Sequence, residues 1–162
     1  MIVVSDASPI ITLSSVGQLQ LLKLLYSKIL IPNAVFSEIT EVEKDLPGAS
    51  ELAGCDWITV KHIKDKILFK ALIADLDTGE SEAIVLAVEG NAQLFLADER
   101  RARNIATRLG INVIGVAGIL IEAKRKNLIP EVKPLLNGMI RKSGFRISRE
   151  LYNLILNTAG EK

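Results

Sequence analysis

An α/β fold with a central parallel sheet, covered by helices on both faces, is predicted for this chain by three observations. Short apolar runs at residues 2–5, 29–31, 94–97 and 112–115 have the length and composition of buried strands. Segments with helical spacing separate them, and that alternation marks parallel strands joined by crossovers. Two of the runs lead directly into aspartate, Asp6 and Asp98. Open parallel sheets bind their ligands at the carboxyl ends of strands.

The elements follow in order. Residues 2–5 form the first strand, and Ser8-Pro9 then supplies an N-cap with proline in the first helical position. Leu19, Leu21, Leu22, Leu24 and Leu25 mark a second helical stretch. Residues 29–31 form a strand stopped by Pro32, and Asn33 is expected to cap a helix that turns Val35, Phe36 and Ile39 inward. Pro47-Gly48 reads as a turn and residues 57–60 as an edge strand. Residues 64–75 look helical with mixed polarity. After Gly79 comes the run Ala83-Ile84-Val85-Leu86-Ala87-Val88, apolar all round, which predicts a buried helix. Residues 94–97 form a strand, residues 99–109 an arginine-rich amphipathic helix, and Gly110 ends it as the C′ glycine. Residues 112–115 make the next strand, 116–126 a helix, and 131–139 and 148–156 two further helical patterns. No repeat, low-complexity segment or linker divides the chain. Residues 1–162 are therefore read as one domain, with those after about residue 145 as a helical extension.

The composition, 49% hydrophobic and 24% charged, is that of a globular domain and not a disordered chain. A net charge of +1 does not by itself announce a nucleic-acid partner. If the acidic residues are concentrated in one pocket, however, the remaining surface is more basic than the total suggests. Cys55 is the single cysteine, which excludes an intrachain disulfide and a cysteine-based zinc site. The opening apolar stretch has no basic lead-in and is broken by Asp6 and Pro9, so no signal peptide is expected. No apolar run reaches the roughly 18 residues of a membrane span. An intracellular, cytoplasmic protein with no membrane association is the expectation.

Four acidic residues carry the functional reading: Asp6, Glu38, Glu80 and Asp98. Carboxylates gathered at strand ends repel one another unless a cation sits among them. Their joint placement points to a divalent-metal site and to hydrolysis of a phosphate ester. Mg²⁺ favours oxygen ligands and retained waters, so histidine is not required. Each residue also has a structural reading. Asp6 suits a turn, Asp98 suits the N-cap of the helix that follows it, and Glu38 suits a solvated helix face. Asp77 and Glu80 have capping-box spacing, and Glu82 competes with Glu80 for the functional role.

Other chemistries are poorly supplied. His62 is the only histidine, and no Gly-x-Ser-x-Gly elbow, Gly-x-x-x-x-Gly-Lys loop or Gly-x-Gly-x-x-Gly fingerprint is present. A phosphoacceptor domain needs adjacent acids after its first strand and a lysine after its last, and neither is found. Basic residues cluster at Arg100, Arg101, Arg103 and Arg108, at Lys124-Arg125-Lys126, and at Arg141, Lys142, Arg146 and Arg149. Those just after Asp98, namely Arg100, Arg101 and Arg103, are placed to hold a phosphate backbone near the acids. With 4% aromatic residues, stacking on bases is not strongly signalled.

The segments that carry the four acids resemble the PIN-domain family of metal-dependent ribonucleases. They are Val-Val-Ser-Asp6-Ala-Ser8-Pro-Ile, Pro32-Asn-Ala-Val-Phe-Ser-Glu38-Ile, Leu76-Asp-Thr-Gly-Glu80-Ser-Glu82-Ala-Ile and Leu96-Ala-Asp98-Glu-Arg100-Arg101-Ala-Arg103. The similarity covers about residues 1–145. Within the family, the chain resembles small prokaryotic members related to VapC, the toxin of type II toxin–antitoxin pairs. The resemblance implies a three-layer α/β/α fold and Mg²⁺ or Mn²⁺ bound by Asp6, Glu38, Glu80 and Asp98. It also implies endonucleolytic cleavage of RNA, a small antitoxin protein as partner and a homodimer. Ser8 matches a hydroxyl position near the site. The third acid here is Glu80, or else Glu82, where many family toxins carry aspartate. The alternative function is a catalytically silent module of the same fold that binds nucleic acid or protein.

Overall fold

Val3–Ser5 (β1) lies at the centre of a five-stranded, wholly parallel sheet. Ile29–Pro32 (β2) and Ile58–Lys61 (β3) extend it on one side, Leu94–Leu96 (β4) and Val113–Ile114 (β5) on the other. The order is β3-β2-β1-β4-β5. Val4 sits between Leu30 and Phe95 in register, Leu30 faces Thr59, and Phe95 faces Val113. The central strands are apolar on both sides because both faces are covered: Val3, Val4, Ile29, Ile31, Phe95 and Leu96 are all fully buried. The edge strand β3 alternates half-buried and exposed residues instead. The computed structural model describes residues 1–42, 45 and 47–162.

The helices divide into two groups. Ala7–Ser15 (α1) and Gln20–Tyr26 (α2) connect β1 to β2. Asn33–Ser37 (α3), a π-helical turn over Glu38–Val42 and Pro47–Ala53 (α4) lie between β2 and β3. Lys66–Leu72 (α5) and Thr78–Glu89 (α6) lead back across β1 and β2 to β4, and Arg100–Arg108 (α7) joins β4 to β5. Val116–Arg125 (α8), Lys133–Ser143 (α9) and Arg149–Thr158 (α10) complete the chain. Parallel crossovers are right-handed, so reversing the direction of travel through the sheet moves the connection to the other face. Accordingly α1 packs with α4, α8 and α9, whereas α6 packs with α5 and α7. Helix α6 is the apolar helix expected, with Ala83, Ile84, Val85, Leu86 and Ala87 all buried.

Four local expectations are corrected. The cap of α1 is Asp6, whose carboxylate accepts from Ala7 N–H, and not Ser8. Pro9 is tolerated one turn in because the first N–H groups of a helix have no intrahelical acceptor. Pro47-Gly48 opens α4 instead of making a turn, since proline at a first helical position loses nothing. Asn33 makes no cap; the start of α3 is served by Glu82 from α6, which accepts from Ala34 N–H at 3.0 Å. Asp98 does not cap α7, whose N-cap is Glu99 without a side-chain bond. It accepts instead from Val116 N–H of α8 at 2.9 Å. Among the described residues, no helix is long and apolar enough to cross a membrane.

Candidate active site

The chain visits β1, β2 and β3 in one direction and then returns to add β4 and β5 on the other side of β1. The connections leaving β1 and β4 therefore diverge, which opens a crevice at their carboxyl ends. Asp6 stands at the end of β1 and Asp98 just past the end of β4, one on each side of that crevice. A cleft of about 1010 Å³ lies there, with Asp6, Ser8, Glu38, Asp77, Glu80 and Asp98 on its walls. Arg100 and Arg103 line it from α7.

Each acid is held by a different local device. Asp6 is fixed by its main chain, which donates to Leu96 O at 2.9 Å, and by the carboxylate bond to Ala7 N–H. Glu38 begins the π-helical turn that follows α3, a distortion often found at functional sites. Gly79 permits α6 to approach it: a Cβ at that position would lie 3.2 Å from Glu38 Oε1. Glu80 sits in the first turn of α6 in a true capping box, accepting from Asp77 N–H while donating its own N–H to the Asp77 carboxylate. Asp98 is oriented from both sides, by Val116 N–H on Oδ1 and by the Ser8 hydroxyl on Oδ2 at 3.3 Å. Gly115 makes room for this pair. A Cβ there would stand 2.8 Å from Asp98 Oδ1 and 2.7 Å from Arg103 Nη1, so any side chain would displace one of them.

Burial dominates the electrostatics of three of these carboxyls. Burial pushes the Asp6 carboxyl up to about 7; the Ala7 N–H opposes this, while Glu80, Glu38 and Asp77 add to it. Asp98 is raised by burial against the lowering effects of Val116 N–H, the Ser8 hydroxyl and Arg103. Glu80 is raised by burial, with Asp77 and Glu99 contributing, while the Asp77 N–H and Arg101 act the other way. Among the described residues, no three carboxylate, imidazole or thiolate groups converge closely enough to hold a metal ion without moving.

The structure thus brings Asp6, Ser8, Glu38, Glu80, Asp98, Arg100 and Arg103 to one cleft. It does not bring Glu82 or Arg101 to the lining. Glu82 is turned to the start of α3, and Arg101 donates to Asp75 O at 3.0 Å. Sequence reasoning missed the parts of the lining that come from the C-terminal segment, Phe145, Arg146, Ile147 and Leu151 among them. It also missed why Gly79 and Gly115 must be small. Only contact with an acid distant in the chain shows that.

A family model for the PIN domain matches residues 2–161. The chain belongs to the PIN-domain family. PIN domains are generally nucleases. The matched span takes in α10, so the family pattern runs well past residue 145. Among solved structures, the chain is similar to a PilT N-terminus domain protein from the hyperthermophilic archaeon Sulfolobus solfataricus P2. The two are 26% identical with a TM-score of 0.52, over 76% of this chain and 93% of that one. No protein with a curated description matches the chain.

Proposed function

We propose that this PIN domain is a Mg²⁺- or Mn²⁺-dependent endoribonuclease, and that it acts in the cytoplasm as a VapC-like toxin of a type II toxin–antitoxin pair. The observation that carries the reading is the crevice at the point where the strand order reverses. There, the buried Asp6 at the end of β1 and the half-buried Asp98 past β4 and Glu80 of α6 share a cleft with the arginines of α7. The donor set is all oxygen: Asp6, Glu38, Glu80, Asp98 and the Ser8 hydroxyl. Hard oxygen donors suit Mg²⁺ and Mn²⁺. A cation would also relieve the burial and mutual repulsion that raise Asp6 to about 7. That no three groups converge closely is compatible with such an ion, which often takes one or two carboxylates directly and reaches the others through water. When bound, a divalent ion supplies Lewis-acid activation of water and neutralises charge on the phosphate.

The chain's own residues do the rest. Val116 N–H and Ser8 fix both oxygens of Asp98 before substrate arrives, so no reorganisation is needed at that carboxylate. Arg103 donates to Ala97 O at 3.0 Å, which anchors its guanidinium beside Asp98, and with the exposed Arg100 it draws the phosphate backbone to the acids. The resemblance on which the toxin reading rests also makes a homodimer and a small antitoxin protein the expected partners.

The test is incubation of the protein with labelled single-stranded RNA in Mn²⁺, in Mg²⁺ and in chelator, beside Asp6→Asn and Asp98→Asn. Metal-dependent cleavage that falls by at least about 100-fold in each variant, with circular dichroism unchanged, is expected. Undiminished cleavage by both variants would sink the assignment. The second reading is a catalytically silent binding module, favoured by the lack, among the described residues, of a pre-converged trio of acids. A folded protein that shows neither cleavage nor a shift in melting temperature with divalent ions would select it.

A further inference from the structure

The cleft has a wall that the four-acid pattern does not anticipate. Residues 143–148, between α9 and α10, line it together with Leu151 of α10. This segment belongs to the α1–α8–α9 side of the sheet, since α9 packs on α1 and α10 on α8. The arginines of α7 belong to the α6 side. The crevice is thus bounded from both faces of the sheet. Within the segment, Phe145 and Ile147 are half-buried against the core, and Arg146 between them is exposed on the cleft. Its two neighbours pack on the core while Arg146 itself stays exposed. Among the described residues Arg146 forms no ion pair.

The segment is pinned at both ends. Gly144 ends α9 with φ 71°, a left-handed conformation that suits glycine. Ser148 caps α10 by accepting from Leu151 N–H, and Tyr152 donates to Asn137 Oδ1 at 2.7 Å, tying α10 to α9. Beyond α10, Glu161 accepts from Lys124 Nζ of α8 and from Val132 and Lys133 N–H at the start of α9. With the main chain of the segment ordered in advance, meeting an anion there costs Arg146 its rotamer freedom but no ordering of a loop.

We propose that residues 144–148 form the second wall of the nucleic-acid cleft, and that Arg146 holds the phosphate backbone of RNA there, from the face of the sheet opposite Arg100 and Arg103. The inference rests on the nuclease reading for the identity of the ligand, but not for its test. Binding of labelled single-stranded RNA is measured in chelator, across a range of salt, for the natural protein, Arg146→Ala and Arg125→Ala. Arg125 is exposed at the end of α8, paired with Glu122 and outside the cleft. Arg146→Ala should weaken binding roughly three- to tenfold at low salt and make the salt dependence shallower by about one phosphate contact. Arg125→Ala should leave both unchanged. Equal affinity and equal salt slope for Arg146→Ala and the natural protein would overturn the proposal. A natural protein that binds RNA but never cleaves it would defeat only the catalytic reading, and the wall would still be judged by the Arg146→Ala difference.

Discussion

Asp6 in the cleft and Glu161 at the far end of α10 are both carboxylates drawn into contact with main-chain N–H groups, yet they end in opposite electrostatic states. Burial pushes Glu161 up, but the Lys124 ammonium and the Val132 and Lys133 N–H groups outweigh it and leave its carboxyl below the usual glutamate range. Burial pushes Asp6 up to about 7 against the single N–H of Ala7, and Glu80, Glu38 and Asp77 nearby add to the rise. One site is a satisfied clasp that holds α8, α9 and the C-terminal residues together. The other is left short of positive charge by the same chain. One carboxylate is lowered by its partners and three in the cleft are raised, and under the proposed function a divalent cation would offset that cost.

The largest effect by which this contrast can be broken is on stability against pH. Between 3.8 and about 7 the folded protein holds a proton on Asp6 that the unfolded chain has released. Stability therefore falls as pH rises through that window, by up to about 4 kcal/mol in the absence of divalent ions. Asp98 and Glu80, also raised, add in the same direction. Asp6→Asn, which cannot ionise, should be more stable than the natural protein at pH 8 and should flatten the slope, as read by urea unfolding. Saturating Mn²⁺ should restore roughly 3 kcal/mol to the natural protein at pH 8 and much less to Asp6→Asn. A natural protein whose stability is flat from pH 4 to pH 8 in chelator would show that the cleft is not frustrated.

The clasp should behave in the opposite sense and more weakly. Glu161→Gln replaces one acceptor oxygen by an NH₂ that faces a donor, and it removes the ion pair to Lys124 at 2.8 Å. A loss of roughly 1–2 kcal/mol at pH 7 is expected. Because the Glu161 carboxyl is lowered in the folded state, that contribution is present at neutral pH and disappears as pH falls through the acid range. The gap between the two proteins should close there. A gap that persists at acid pH would mean that the clasp works by packing and not by charge.

The same contrast explains what could be read without coordinates. Strands β1, β2 and β4 were legible because burial on both faces demands short continuous apolar runs, and α6 because a helix sealed on all sides must be apolar all round. The acids were legible because two of them directly follow those runs. What was hidden is non-local. Asp98, just before α7, reads as the cap of that helix but serves α8, and Glu82, inside α6, serves α3, each across a gap in sequence that only the folded sheet closes. Arg146 was visible only as one of several basic residues near the C-terminus. Its place on the cleft depends on how α9 and α10 dock.

Glu82 offers the smallest and most discriminating test, because two residues apart on α6 the chain has one acid in the cleft and one beneath a neighbouring helix. Glu80 lines the cleft, and Glu82 accepts from Ala34 N–H at 3.0 Å. If Glu82 is a cap and Glu80 a participant in the chemistry, the two substitutions to alanine should separate cleanly. Glu82→Ala leaves the Ala34 N–H at the start of α3 without its acceptor and should cost about 1 kcal/mol in urea unfolding. Helix α3 leads into Glu38, so its cleavage rate should drop only a few-fold. Glu80→Ala should cost a similar amount through loss of the capping box, and should also reduce cleavage by at least about 100-fold. The reverse pattern, with cleavage lost on Glu82→Ala and kept on Glu80→Ala, would move the third acid of the site two residues along α6.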